Sequence, residues 1–117
     1  MSRFAPKPIS AAEGKAIVEA KLNYILSLCT PDQIFVFGSA ASNEMTDHSD
    51  VDLALIFCNE AELSAARNCV FRRAVNDEWP QDLVLFLKSD FERKKIIGGL
   101  CQIIADEGIC IFERIKP

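Results

Sequence analysis

Three aspartates and a glycine–serine pair carry the chemistry in this 117-residue chain. Asp50 and Asp52 flank a valine at the head of an apolar run, Val51-Asp52-Leu53-Ala54-Leu55-Ile56-Phe57. On a strand, alternate side chains share a face. The two carboxylates are therefore expected on one side, with Cα atoms about 6.5–7 Å apart, while Val51 and Leu53 turn into the core. Carboxylates held that close repel unless a cation sits between them. A hard cation such as Mg²⁺ takes oxygen ligands of this kind and keeps room for substrate phosphates. Asp82 heads another apolar run, Leu83 to Leu87, and supplies a third acid. Three carboxylates from two strands can hold two metal ions about 3.5–4 Å apart, the spacing that supports in-line phosphoryl transfer.

Gly38-Ser39 closes a preceding apolar run, Ile34-Phe35-Val36-Phe37, ten residues before Asp50. At the end of a strand, glycine permits a turn closed to other residues and lets a phosphate approach backbone N–H groups. Ser39 adds a hydroxyl donor, and a short helix starting there would aim its N-terminus at an anion. Ser49, beside Asp50, reads either as a nucleotide contact or as a residue bonding its own backbone. His48, the sole histidine, reads as a surface residue rather than a substrate contact.

The elements that must position these groups are legible in outline. Residues 1–9 hold two prolines and two cations and read as a flexible leader, with a single domain over 10–117. Ser10 with Glu13 forms a capping box. Val18, Leu22, Ile25 and Cys29 then recur at helical spacing until Pro31. Residues 34–37 and 51–57 are short, wholly apolar runs, as expected of strands covered on both faces. Asn59 with Glu62 caps a helix over about 60–76. This helix turns Leu63, Ala66, Val70 and Ala74 inward and presents Arg67, Arg72 and Arg73 as a solvated face. Trp79 beside Pro80 reads as packing. A third strand follows at 82–87. Ser89 with Glu92 suggests another capped helix, bent near Gly98-Gly99 and resuming to Ala105, and Gly108 turns the chain into a last strand, Ile109–Phe112. This order predicts an α/β (α+β) fold, a mixed four-stranded sheet with helices packed on it. The connection between the first two strands is too short for a helical crossover, so they are expected to be antiparallel.

Bulk composition narrows the function classes. A net charge of −4 gives long nucleic acid no electrostatic footprint. No run approaches the roughly 18 apolar residues of a membrane span. The first residues lack the apolar core of a signal peptide. Five cysteines at irregular spacing, without a C-x-x-C pair, read as buried reduced thiols of a cytoplasmic protein.

The combination of apolar-Gly38-Ser39, ten residues, then Asp50-Val51-Asp52-Leu53 resembles the nucleotidyltransferase signature of the DNA polymerase β superfamily. The third acid in Gln81-Asp82-Leu83-Val84 and the ending Ile104-Ala105-Asp106-Glu107-Gly108-Ile109-Cys110-Ile111-Phe112-Glu113 resemble its minimal nucleotidyltransferases. The resemblance covers roughly residues 10–115. It implies a polymerase-β-like fold and transfer of a nucleoside monophosphate, AMP from ATP, to a hydroxyl with loss of pyrophosphate. Asp50 and Asp52 would bind two Mg²⁺ ions. Asp82 would ligate the catalytic one and help deprotonate the acceptor, and Gly38 and Ser39 would bind the β- and γ-phosphates.

The spacing also resembles antitoxins of the HEPN/minimal-nucleotidyltransferase pairs, in which the transferase-like chain adds AMP to a tyrosine of a small helical HEPN ribonuclease. A single domain of this size leaves acceptor binding to another polypeptide. The sequence departs from the family in one respect. The arginines usual after Gly-Ser are absent from Gly38-Ser39-Ala40-Ala41-Ser42-Asn43, so triphosphate contacts fall to backbone, metal, or Lys88, Lys94 and Lys95. That departure keeps open a module that neutralises its partner by contact alone. A further alternative, nucleotidylation of a small molecule such as an aminoglycoside, would call on a helper domain.

Overall fold

The computed structural model describes residues 7–46, 50–73 and 81–114. Their order is α1 (Ala11–Leu28), β1 (Gln33–Phe37), a 3-10 turn (Gly38–Ala40), β2 (Val51–Phe57), α2 (Glu60–Arg73), β3 (Gln81–Leu87), α3 (Lys88–Ile97), α4 (Leu100–Glu107) and β4 (Ile109–Glu113). The strands form one mixed sheet in the order β3-β2-β1-β4. β1 runs antiparallel to β2 and β4, as expected of short connections, whereas β3 runs parallel to β2 after the α2 crossover.

Continuous apolarity in β2 has the cause expected: both faces of the sheet are covered. On one face Ile34, Val36, Val51, Leu53, Leu55 and Phe57 pack with Ile25 of α1 and with Leu63 and Ala66 of α2. On the other, Ala54 and Ile56 pack with Phe91 of α3 and with Cys101 and Ile104 of α4. Phe91 also meets the rings of Phe35 and Phe86 at centroid separations of 5.6 and 6.0 Å. A helix–sheet–helix sandwich results, and burial of β2 apart from Asp52 contributes much of the apolar driving force.

Local side-chain caps open α1 and α2. The Ser10 side chain accepts from Glu13 N–H at 3.1 Å, the first bond of the expected box, and donates to the Glu13 carboxylate at 3.2 Å. Asn59 Oδ1 accepts from Glu62 N–H at 2.9 Å. The Ser89/Glu92 box does not form. β3 runs directly into α3, whose first residue is Lys88, and Leu87 occupies the cap position with extended backbone and no side-chain bond. Ser89 therefore lies inside the helix rather than ahead of it. Gly98 and Gly99, both at positive φ, separate α3 from α4, and α4 continues past Ala105 to Glu107.

Ahead of α1, Pro8 bridges Thr46, and Ile9 N–H bonds Met45 carbonyl at 3.1 Å. One further expectation changes: burial fails as a common rule for the cysteines. Cys101 is buried and Cys29 half-buried, but Cys58, Cys69 and Cys110 are exposed. No described helix is long and apolar enough to cross a membrane. His48, Ser49, Ala74, Trp79 and Pro80 lie outside the described residues, as do the side chains of Val70, Arg72 and Arg73.

Candidate active site

The site forms at the end of the sheet where β1 finishes and where β2 and β3 begin. Register does the positioning. Asp52 stands opposite Phe37, the last residue of β1, and opposite Asp82 on the parallel strand β3. Adjacent strands place such in-register Cα atoms about 4.8 Å apart, with side chains on a common face. That face also carries Phe35, Phe37, Ala54, Ile56, Val84 and Phe86, so Asp52 and Asp82 continue the α3/α4 side of the sheet beyond its apolar filling. Val51 and Leu53 are fully buried on the opposite side, as the alternation requires. Asp50 lies one residue before β2 and is exposed, as is Asp82, whereas Asp52 is half-buried between them.

Electrostatics bind the three acids into one site. Burial, then the Asp82 charge, then the Asp50 charge, raise the Asp52 carboxyl above its ordinary value. Each cause disfavours the ionised form and would be relieved by a bound cation. Among the described residues no three acidic, cysteine or histidine side chains close around a common point as a ready-made cage. The donors nevertheless fit a hard divalent ion. They are carboxylates, they crowd one another enough to perturb Asp52, and their open side leaves positions for phosphate oxygens and water, as Mg²⁺ prefers.

Gly38 is required here on two counts. Its φ is +70°, where an L side chain is strained by roughly 1–2 kcal/mol. A Cβ at that position would also overlap Asp52 Oδ2 and sit 3.3 Å from Asp52 Cγ. The turn backbone thus lies directly against the central carboxylate. Ser39 follows in the 3-10 turn, half-buried and adjacent to the acids' end of the sheet. Gly38 carbonyl accepts from Ala41 N–H at 3.1 Å and from Ser42 N–H at 3.3 Å, and Ser39 carbonyl accepts from Glu44 N–H at 2.9 Å.

Ser42 and Asn43 are the residues that motif reading passed over. Ser42 Oγ donates to the carbonyls of Gly38 and Ser39 at 3.3 and 3.4 Å, bracing the turn. Asn43 adopts φ 59°, a left-handed conformation that asparagine tolerates better than most residues. A serine four residues after a turn glycine and an asparagine at the next position are the local signals for such a brace.

Of the cations proposed to replace the missing arginines, Lys88 begins α3 at the far end of the sheet. Lys88 follows the last residue of β3, about 20 Å along the strand from Asp82. Its position at the opposite end of the sheet follows from the extended rise of β3 over Gln81–Leu87. Lys95 is held by Glu92 at 2.6 Å, and Lys94 is exposed on α3. The described part of the loop, Gly38 to Thr46, contains no cation.

Comparison with known proteins agrees with the fold. The model of the family described as "Polymerase beta, Nucleotidyltransferase" matches residues 20–116, and the chain belongs to that family. The matched span contains β1, the glycine turn, β2 and β3, so it includes every element that builds the site. A similar fold is seen in the crystal structure of a "putative nucleotidyltransferase" from Sulfolobus solfataricus. It is 17% identical, with a TM-score of 0.57, over 92% of this chain and 91% of that one. At that identity the likeness speaks for the fold alone. No curated protein matches the sequence.

Proposed function

We propose that this nucleotidyltransferase-family chain transfers AMP from ATP to a hydroxyl on a partner protein, in a Mg²⁺-dependent reaction. The observation that carries this reading is the register of Asp52 with Asp82, with the Gly38 turn packed against the Asp52 carboxylate. Asp50, Asp52 and Asp82 are the residues that would hold the metal ions. When bound, those ions supply charge neutralisation at the phosphates and at the attacking and leaving oxygens. The chain's own contribution is alignment, which is most of what phosphoryl transfer asks of a protein. Gly38 opens the backbone to the triphosphate, and Ser39 offers a hydroxyl donor to a phosphate oxygen. Ser49 remains a proposed contact to the same group. Asp82, exposed at the mouth of β3, would accept the proton of an incoming hydroxyl.

The acceptor proposed is a tyrosine of a small helical HEPN-domain protein, for which this chain serves as antitoxin. The motif spacing supports it through the resemblance described above. A surface feature supports it too. On the acids' side of the sheet, the α3/α4 hairpin exposes Ile96 and Ile97 at 79% and 76%, with Leu100 and Ile103 beside them. An apolar cluster of that kind suits burial against a partner helix. The specific test is incubation of the co-purified pair with Mg²⁺ and labelled ATP. Label is expected on the partner, and is expected to vanish with the Asp50→Ala/Asp52→Ala double variant. If no label appears and the double variant still neutralises its partner, the transferase reading fails. Neutralisation by contact alone would then stand, a reading favoured by the cation-free turn and by the remoteness of Lys88.

A further inference from the structure

The chain holds five cysteines, and the metal–nucleotide reading uses none of them. Cys101 is buried on α4, Cys58 Sγ donates to the Asp32 carboxylate, and Cys110 Sγ donates to the Phe112 carbonyl at 3.3 Å. Cys29 and Cys69 differ from these, because both open into one cavity of about 360 Å³. α1 and α2 pack on the same face of the sheet, and the cavity lies between them. Leu26 and Cys29 wall it from the α1 side, Ala66 and Cys69 from α2, and Phe57 from β2.

Local structure brings the two thiols to this cavity. Cys69 follows Leu63 and Ala66, the buried stripe of α2, at helical spacing, so it stands at the margin of the stripe that faces α1. Cys29 caps the C-terminus of α1 with extended backbone, and its Sγ donates to the Ile25 carbonyl at 3.6 Å. The two sulfurs lie within each other's field. Burial, then the charge of Cys69, push the Cys29 thiol up to about 11. Cys29 therefore stays protonated at neutral pH, whereas Cys69 is the exposed member of the pair. A disulfide spans Cα atoms about 4.4–6.8 Å apart. The cavity gives room for that closure, and Cys29 lies beyond the last turn of α1, so closing it moves a helix end rather than a helix interior.

We propose that Cys29 and Cys69 form a redox-sensitive dithiol, oxidised reversibly to an intrachain disulfide by low-molecular-weight disulfides of the glutathione class. Exposed Cys69, as thiolate, attacks one sulfur of glutathione disulfide. That S–S bond breaks, one glutathione leaves as thiolate and takes up a proton, and Cys69 carries the other as a mixed disulfide. Cys69 then bears no charge, which removes one of the two causes that hold the Cys29 proton. Cys29 gives its proton to solvent and attacks the Cys69 sulfur, and the second glutathione leaves as thiol. Two protein thiols are oxidised, and one glutathione disulfide is reduced to two thiols. Intracellular disulfides of this transient kind serve as redox sensors. The bond closes a loop that holds β1, the Gly38 turn, Asp50 and Asp52 and leaves Asp82 outside it. It ties α1 to α2 on the face opposite the acids and constrains the unfolded chain more than the folded one.

Thiol mapping of the full chain tests this. The folded protein is incubated with glutathione disulfide, free thiols are blocked, and the digest is read by mass spectrometry. The expected product is a Cys29–Cys69 cross-linked peptide that dithiothreitol removes. The oxidised chain should melt higher than the reduced one by roughly 5–15 °C. Cys29→Ser should stop at a mixed disulfide on Cys69, and Cys69→Ser should leave Cys29 a free thiol. A wild-type chain that keeps both thiols free overturns the proposal, as does one that accumulates the Cys69 mixed disulfide just as Cys29→Ser does. So does a Cys69 cross-linked to Cys58 or to a second chain instead, or a Cys29–Cys69 bond that forms only in urea, where the fold no longer brings the pair together.

Discussion

At the residue scale the site turns on Asp52. It is the only one of the three acids that is half-buried, and its neighbours on both sides are carboxylates. Burial and the charges of Asp82 and Asp50 place its folded value above that of the unfolded chain. A raised acid binds more protons folded than unfolded in the window between the two values. Its stabilising contribution is therefore complete below the ordinary carboxylate range and is lost as pH rises through the raised value. Ionised Asp52 is a net cost to the metal-free fold at neutral pH. Asp52→Asn should accordingly melt at a higher temperature than the parent near pH 7 in chelator. The difference should close as pH falls below the ordinary carboxylate range, where the carboxyl is protonated in folded and unfolded chains alike. Thermal melts of both proteins across that range are the measurement. Equal melting temperatures at pH 7 would mean the three acids do not share a field.

At the element scale, the approach of α4 to β1 depends on Gly108. Its backbone is ordinary, but a Cβ there would overlap the Ile104 carbonyl and stand 3.2 Å from that of Val36. Both obstacles are main chain and cannot rotate away. Gly108→Ala is expected to destabilise the fold by about 1–3 kcal/mol, the usual range for overpacking, as read from urea denaturation. Strand and helix existence was readable from apolar runs and periodicity because those patterns report burial directly. The α3 start was not. Ser89 and Glu92 have cap spacing, yet β3 passes into α3 without a gap, so tertiary continuity overrides the local side-chain preference. The cysteines misled for a similar reason. Apolar neighbours in sequence do not say which side of an element is covered, and Cys58, Cys69 and Cys110 prove exposed.

At the scale of the whole molecule, the pole opposite the acids is held by one ion-pair cluster. Asp32, 4% exposed, accepts from Arg114 through Nε at 3.1 Å and also through Nη2. Arg114 Nη2 reaches Glu62 of α2 at 3.3 Å, and Cys58 Sγ donates to the other Asp32 oxygen. Backbone bonds from Asp32 N–H to the Ile56 carbonyl and from Arg114 N–H to the Asp32 carbonyl, each 2.7 Å, join the strand ends beneath it. Arg114→Leu is expected to lower the melting temperature because it takes the guanidinium from a buried carboxylate. Arg114→Lys should recover only part of the loss, since an ammonium cannot reproduce the planar fork. Calorimetry of the three proteins checks this. Full recovery by lysine would show that charge, rather than geometry, is what the cluster needs.

The chain's order of residues was sufficient for part of this protein. It determined the alternation that puts Asp50, Asp52 and Asp82 at strand mouths, the glycine that ends β1, and the mixed sheet that short and long connections require. Those properties are local, so they can be read from neighbours in sequence. Tertiary structure alone decided that Asp52 faces Asp82 across a parallel pair and that Gly38 lies against the Asp52 carboxylate. It also decided that Lys88 stands at the far end of the sheet and that Cys29 and Cys69 share one cavity. Strand order and register are set by which apolar faces can be buried together, and that is a property of the whole fold.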